Sequence, residues 1–274
     1  LDPRMQVKKI NGINFFKNPN KYEFWMKSNK KIDLKNEITS YTHTGVTAIT
    51  RATGRLLDQL PIDQYLKNLK PYFTNREFVH ISNEVSIDEN CDYNSMKMKF
   101  ATKSIHFEIL NKINANIIEL TGNLNLDYGT TPYLNSLKWY KNNKMQYFGG
   151  GANEQEAATP LTIKLKDGKR VAWIGFNELC PCNECTDNPS HKMGANRYSM
   201  AKAKSILDDL KYKQQLDYII VCVQFGERDS YEPSSSQEKI CKELIDFGAD
   251  VIIGSQAHQP QTVEVYKQKL IFYG

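Results

Sequence analysis

No stretch of this chain approaches the ~20 consecutive apolar residues that a membrane-spanning helix needs. No charged start followed by an apolar core marks a secretory leader. Internal repeats and low-complexity tracts are missing too, which excludes a solenoid and a linker-like chain. A clustered basic face is also lacking. The formal charge of +5 is spread over scattered lysines, so nucleic-acid binding is not expected. The one short basic stretch, Lys27 to Lys35, reads as solvated surface. Attraction to an anionic wall polymer or membrane surface is the alternative.

Residues Leu1-Asp2-Pro3-Arg4-Met5 are not a natural-looking start, and Ile271-Phe272-Tyr273-Gly274 stop inside an apolar, strand-like run. The expectation is a fragment of a longer chain, truncated at its C-terminus, whose targeting signals lie elsewhere.

The composition that is present is ordinary for a globular protein, with 40% apolar and 24% charged residues over 274 positions. A chain of this length buries a full core without staples. Three of the six cysteines crowd into Cys180-Pro181-Cys182-Asn183-Glu184-Cys185. In an exported domain they suit a disulfide with Cys91. A zinc site with His191 is a second option, though the spacing is not standard; free thiols are a third. Cys222, inside an apolar run, and Cys241, on a predicted helix, read as buried structural thiols.

Residues 1–40 are rich in Lys and Asn and read as a lead-in segment; residues 41–274 read as the domain proper. Apolar runs bounded by turn residues predict strands over 44–50, 78–85, 116–120, 161–166, 170–176, 217–223, 250–253, 262–265 and 270–273. Helical spacing appears over 61–70, 103–113, 131–143, 200–211 and 237–247. Lys166-Asp167-Gly168-Lys169 reads as a hairpin turn. Strands separated by helices imply a mainly parallel sheet with helices on both faces. Two sheets packed face to face with helices outside also fit. The long irregular stretch 177–197 is a functional-loop candidate.

In such folds ligands sit where strands end. Five apolar runs end in residues able to do chemistry. They are Thr44-Gly45-Val46-Thr47-Ala48 with Arg51, Ser82-Asn83-Glu84-Val85, the stretch Thr121 to Gly129 with Asn123 and Asp127, Gln224-Phe225-Gly226-Glu227-Arg228, and the stretch Gly254 to Gln261 with Gln256 and His258. One such turn means little, because Asn- and Gly-rich strand ends are usually plain turns. Five in one chain suggest a shared cleft.

In order and spacing these motifs, with Gly149-Gly150-Gly151-Ala152-Asn153 and Phe247-Gly248-Ala249-Asp250, resemble the capsule-synthesis protein CapA family, also called the poly-γ-glutamate capsule family. The resemblance runs from about Thr44 to Gly274. It implies an α/β fold of the calcineurin-like metallophosphatase type: a sandwich of central β-sheets flanked by helices. It also implies an extracellular, surface-anchored location, an upstream extracellular module in the same chain, and a role with γ-linked glutamate polymer.

The family's metal-bearing motifs are altered here. Val46 stands for the first Asp, Ser82 for the Asn of Asn-x-Glu, Leu124 for the His of Asn-Asn-His, Gln224 for the His of His-Trp-Gly, and Gln256 for the first His of the final pair. A two-cation centre needs hard oxygens and imidazoles close together, and Val and Leu offer no donor atom. The expectation is no metal ligands and no paired transition-metal centre, with room for a single divalent cation, since amide oxygens suit Ca²⁺ or Mg²⁺.

Two readings stay open. In one, Glu84 and His258 are catalytic, a metal-free acid–base pair acting on a phosphoester or a γ-glutamyl or peptide bond. In the other, the cleft only binds an anionic or peptide-like surface polymer. In both, Arg51, Asn123, Asp127, Gln224, Glu227 and Gln256 are the candidate substrate contacts. Asp127 has a structural alternative, bonding its own turn's backbone.

Overall fold

Strands Tyr41–Thr47, Phe78–Asn83, Ile117–Glu119 and Gln146–Phe148 pair in that order, all parallel, into a four-stranded sheet. A second sheet has six strands in the spatial order Leu161–Lys164, Arg170–Asn177, Tyr218–Gln224, Val251–Ser255, Lys269–Phe272 and Val263–Tyr266. Its four inner strands are parallel and its two outer strands antiparallel. These are features of a computed structural model that describes residues 6–10, 13–17, 24–28, 39–179, 185–188 and 190–274.

Side-chain alternation along each strand explains the layering. Phe78, Ile117 and Phe148 of the first sheet meet Val171, Trp173, Cys222 and Ile253 of the second in one buried cluster. The opposite faces are covered by helices. Val79, Ile81 and Ile118 pack against Phe107 and Leu110 of helix Ser104–Lys112, and against Tyr133, Leu137 and Tyr140 of helix Thr130–Asn142. Ile174, Phe176, Val221 and Val223 pack against Leu207 of helix Met200–Asp208 and Leu244 of helix Ser235–Asp246. The result is helix, sheet, sheet, helix, the metallophosphatase-type sandwich. With both faces of a strand buried, near-continuous apolar runs are required; Arg170–Asn177 is buried at every position after the first.

The predicted hairpin forms, with Leu161 opposite Trp173 and Gly168 at a φ of 89° in the turn. Other expectations need correction. The first strand of this unit lies at Tyr41–Thr47, earlier than 44–50, because residues 48–50 lead into helix Arg51–Leu57, with Thr50 as its N-cap. Gly54 weakens the helical signal of that segment, yet a Cβ there would lie 2.6 Å from the Tyr93 ring. The helix predicted over 61–70 divides into Ile62–Tyr65 and Lys70–Phe73. Residues 1–38 are a separate compact unit from 39–274. That unit carries a three-stranded antiparallel sheet of Gln6–Ile10, Ile13–Lys17 and Phe24–Ser28, where no regular periodicity was legible.

Candidate functional site

Parallel strands aim their C-terminal ends at one edge of a sheet, and the turns that follow gather there. Gly45, Val46, Glu84, Gly254, Ser255, Gln256 and His258 line a cleft of about 610 Å³ at this edge. Hydrogen bonds tie the remaining turns to it. Gln224 Nε2 donates to Glu84 Oε1 at 2.9 Å and to Asn123 Oδ1 at 2.6 Å. Gln256 Nε2 reaches the same Asn123 oxygen at 3.5 Å. All five strand-end turns singled out in the sequence therefore meet at one place.

Glu84 is the centre of this network. Burial pushes its carboxyl up to about 7. The negative charges of Glu227 and Asp127 act in the same direction, while the bonds from the Gln224 side chain and the Asn123 backbone oppose it. A carboxyl poised there can hold or release a proton near neutral pH. Gly122 makes the packing possible: a Cβ at that position would sit 2.8 Å from Glu84 Cγ and 2.9 Å from its Cα.

The opposite wall is backbone under constraint. Gln256 has a φ of 76° and His258 a φ of 57°, left-handed values that non-glycine residues adopt at a cost. His258 lines the cleft with its side chain 47% exposed. Its Nδ1 lies 3.4 Å from Asp229 and its Nε2 3.9 Å from Glu227. No hydrogen bond joins it to Glu84, so the expected pair shares a cleft but not a direct contact. Asp229 and Ser255 were not anticipated. Ser255 Oγ is buried with no partner; a serine one position before a chosen glutamine was the available signal.

Two anticipated contacts are occupied elsewhere. Arg51 is not among the residues lining the cleft. Its guanidinium donates to the Lys97 carbonyl at 3.1 Å and lies over the Phe100 ring at 4.6 Å. Asp127 Oδ2 accepts from the Phe100 backbone N–H at 2.8 Å, so its carboxylate ties down a neighbouring segment rather than its own turn. Glu227, 61% exposed, stands at the rim beside His258. Arg228 donates to the Glu232 carbonyl at 3.2 Å.

The donor atoms at the cleft do not fit a cage for two cations. Val46 has none, and Ser82 is buried in its strand. The Gln224 amide nitrogen sits between the Glu84 and Asn123 oxygens, so an N–H donor takes the place from which a cation would pull on both.

Among the described cysteines, Cys91, Cys222 and Cys241 are buried thiols. Burial raises all three thiols, which makes them inert. Cys180 and Cys182 of the cluster lie outside the described residues.

Known proteins can be set beside this geometry. The family model described as bacterial capsule synthesis protein PGA_cap matches residues 37–274. The capsule biosynthesis protein CapA of Bacillus anthracis is 26% identical over 249 residues, which is 87% of this chain and 59% of that protein. The PGA biosynthesis protein CapA of Bacillus subtilis is 20% identical over 241 residues, 87% of this chain and 62% of that protein. The chain thus spans about three fifths of the length of these relatives. A family model covering all of the sandwich, on top of five motif turns meeting in one cleft, makes this chain a member of the bacterial capsule synthesis PGA_cap family.

Proposed function

We propose that this chain is the polymer-handling domain of a capsule-synthesis protein, binding or positioning a γ-linked glutamate chain or a similar peptide-like polymer at the cell surface. The observation that carries the reading is the cluster of Glu84, Asn123, Gln224 and Gln256 at the strand ends. Amide side chains pair with the N–H and C=O groups of an amide-linked polymer. Glu84, poised near 7, accepts or donates according to what approaches it. The names of the two CapA relatives point to the same process. On this reading the cleft works without paired cations, and the replaced ligands mark a site turned from metal chemistry to hydrogen-bonding recognition. Location at the surface comes from the family resemblance; no helix among the described residues is long and apolar enough to cross a membrane.

Calorimetric titration with short γ-linked glutamate oligomers tests the proposal. Saturable binding that is unaffected by chelator and weakened roughly tenfold in Asn123→Ala is the expected result, the loss of about one charge-assisted contact. No binding by the unaltered chain sinks it.

A hydrolytic reading has one observation in its favour, the raised carboxyl of Glu84 in a cleft shared with His258. Turnover of a γ-glutamyl or phosphoester substrate that disappears in Glu84→Gln would select it over binding alone.

A further inference from the structure

A second polar cluster lies inside the sandwich, away from the cleft. Tyr41 and His43 on the first strand, His80 on the second and Glu119 on the third all point between the sheets. His80 is fully buried and Glu119 nearly so. His43 Nδ1 lies 2.9 Å from His80 Nδ1, and His80 Nε2 lies 3.2 Å from Glu119 Oε2. The Tyr41 hydroxyl also meets His80 Nδ1, and the Thr121 hydroxyl donates to Glu119 Oε1.

We propose that His43, His80 and Glu119 form a site for one transition-metal dication of the zinc class, separate from the strand-end cleft. One ligand atom from each residue lies within 4.8 Å of the others. Two imidazoles with one carboxylate are a zinc ligand set, and bonds of about 2.0–2.1 Å place ligand atoms roughly 3.3 Å apart around a tetrahedral ion. The His43 Nδ1 to His80 Nδ1 contact of 2.9 Å already matches that separation, whereas Glu119 now faces the other nitrogen of His80, Nε2, at 3.2 Å. Rotation of the Glu119 side chain brings the third ligand in.

Proton arithmetic points the same way. The single nitrogen His80 Nδ1 is approached by both the Tyr41 hydroxyl and His43 Nδ1. It carries either one proton or one lone pair, so the two neighbours compete for it. His80 Nε2 faces Glu119 without a well-aligned hydrogen bond. A buried network normally satisfies its members; a cation beside His80 Nδ1 takes that lone pair and the one on His43 Nδ1, with Glu119 turned toward it as the third ligand. Access exists as well. Tyr41 and His43 line a side cleft of about 460 Å³, bordered by Gly45, Ile220, Ile253 and Phe272. That cleft reaches the site from the His43 side, the entry path a metal site requires.

The test is metal binding by the chelator-stripped 274-residue chain. Zn²⁺ titration gives the stoichiometry. Co²⁺ substitution gives the visible bands of a four-coordinate ion, and X-ray absorption counts the ligands. One equivalent per chain with two imidazoles in the coordination sphere is expected. Glu84→Gln retains it, and affinity falls at least roughly 10–100-fold in His43→Asn and Glu119→Gln. His43 sits on an edge strand and is only half-buried, so His43→Asn keeps the fold; circular dichroism checks this. Should either variant unfold, the ligand count on the unaltered chain decides alone. Absence of stoichiometric binding, unchanged affinity in His43→Asn, or loss of the ion in Glu84→Gln overturns the assignment. Because Glu84→Gln alters only the strand-end cleft, failure here leaves the polymer-binding proposal standing.

Discussion

Glu84 and Glu119 follow or end neighbouring strands of the same sheet, and they are almost equally hidden, 5% and 2% exposed. Their charge states nonetheless diverge. Glu84 has only neutral amides for partners, and burial drives its carboxyl up to about 7. Burial acts on Glu119 in the same direction, but the neighbouring His80 imidazole, then His43 and the Thr121 hydroxyl, outweigh it and hold that carboxyl below its ordinary value. Depth of burial therefore does not decide whether a carboxyl is charged at neutral pH; the partner does. One fold thus supplies a poised proton carrier at the strand ends and a fixed anion between the sheets.

The largest effect expected from this contrast is on the fixed anion. His80→Ala removes the imidazole that faces Glu119 between the sheets and leaves a buried carboxylate without its partner. It should cost about 3–5 kcal/mol in denaturant unfolding. A cost under about 1 kcal/mol would show that Glu119 does not depend on His80. The next effect has the opposite sign. The raised Glu84 carboxyl keeps its proton in the folded state but loses it from 4.5 upward in the unfolded chain. Its contribution to stability is thus full below pH 4.5 and gone once pH has risen through about 7. Glu84→Gln should accordingly match the unaltered chain at pH 4 and exceed it at pH 8 by up to about 3 kcal/mol. Equal stabilities at pH 8 would mean that Glu84 is solvated after all.

Smaller effects sharpen the comparison further. Gly122→Ala forces a methyl against Glu84 and should cost about 1–3 kcal/mol. It should also shift the Glu84 titration, read by NMR, whereas the Glu119 signal stays put. Ser234→Ala removes the capping box of helix Ser235–Asp246, which makes no hydrogen bond to either carboxyl. A loss of about 1 kcal/mol with neither titration moved is the control.

Much of the strand-end site was legible because turns that follow apolar runs are local features. Glu84, Asn123, Gln224, Gln256 and His258 each stood at the end of a readable strand. Arg51 and Asp127 looked the same in sequence but bond to residues 97–100, a long-range choice that no local pattern reveals. The His43, His80 and Glu119 cluster went unread for a related reason. Each is a single polar residue within an apolar strand, and only shared parity along Tyr41–His43, Phe78–His80 and Ile117–Glu119 hints at a common face. Helix Arg51–Leu57 was hidden by a glycine whose purpose, contact with Tyr93, is tertiary.

The sequence by itself determined the alternation of strands and helices, the hairpin at Gly168 and the lack of metal-donor atoms in the Val46 and Leu124 side chains, because periodicity, turn chemistry and side-chain composition are local. Only the tertiary structure decided that there are two sheets rather than one, that a glutamine nitrogen lies between Glu84 and Asn123, and that the Glu119 carboxyl is held low where that of Glu84 is pushed up. Those outcomes depend on which groups are brought within a few ångströms of one another, and that is set by packing across the sandwich.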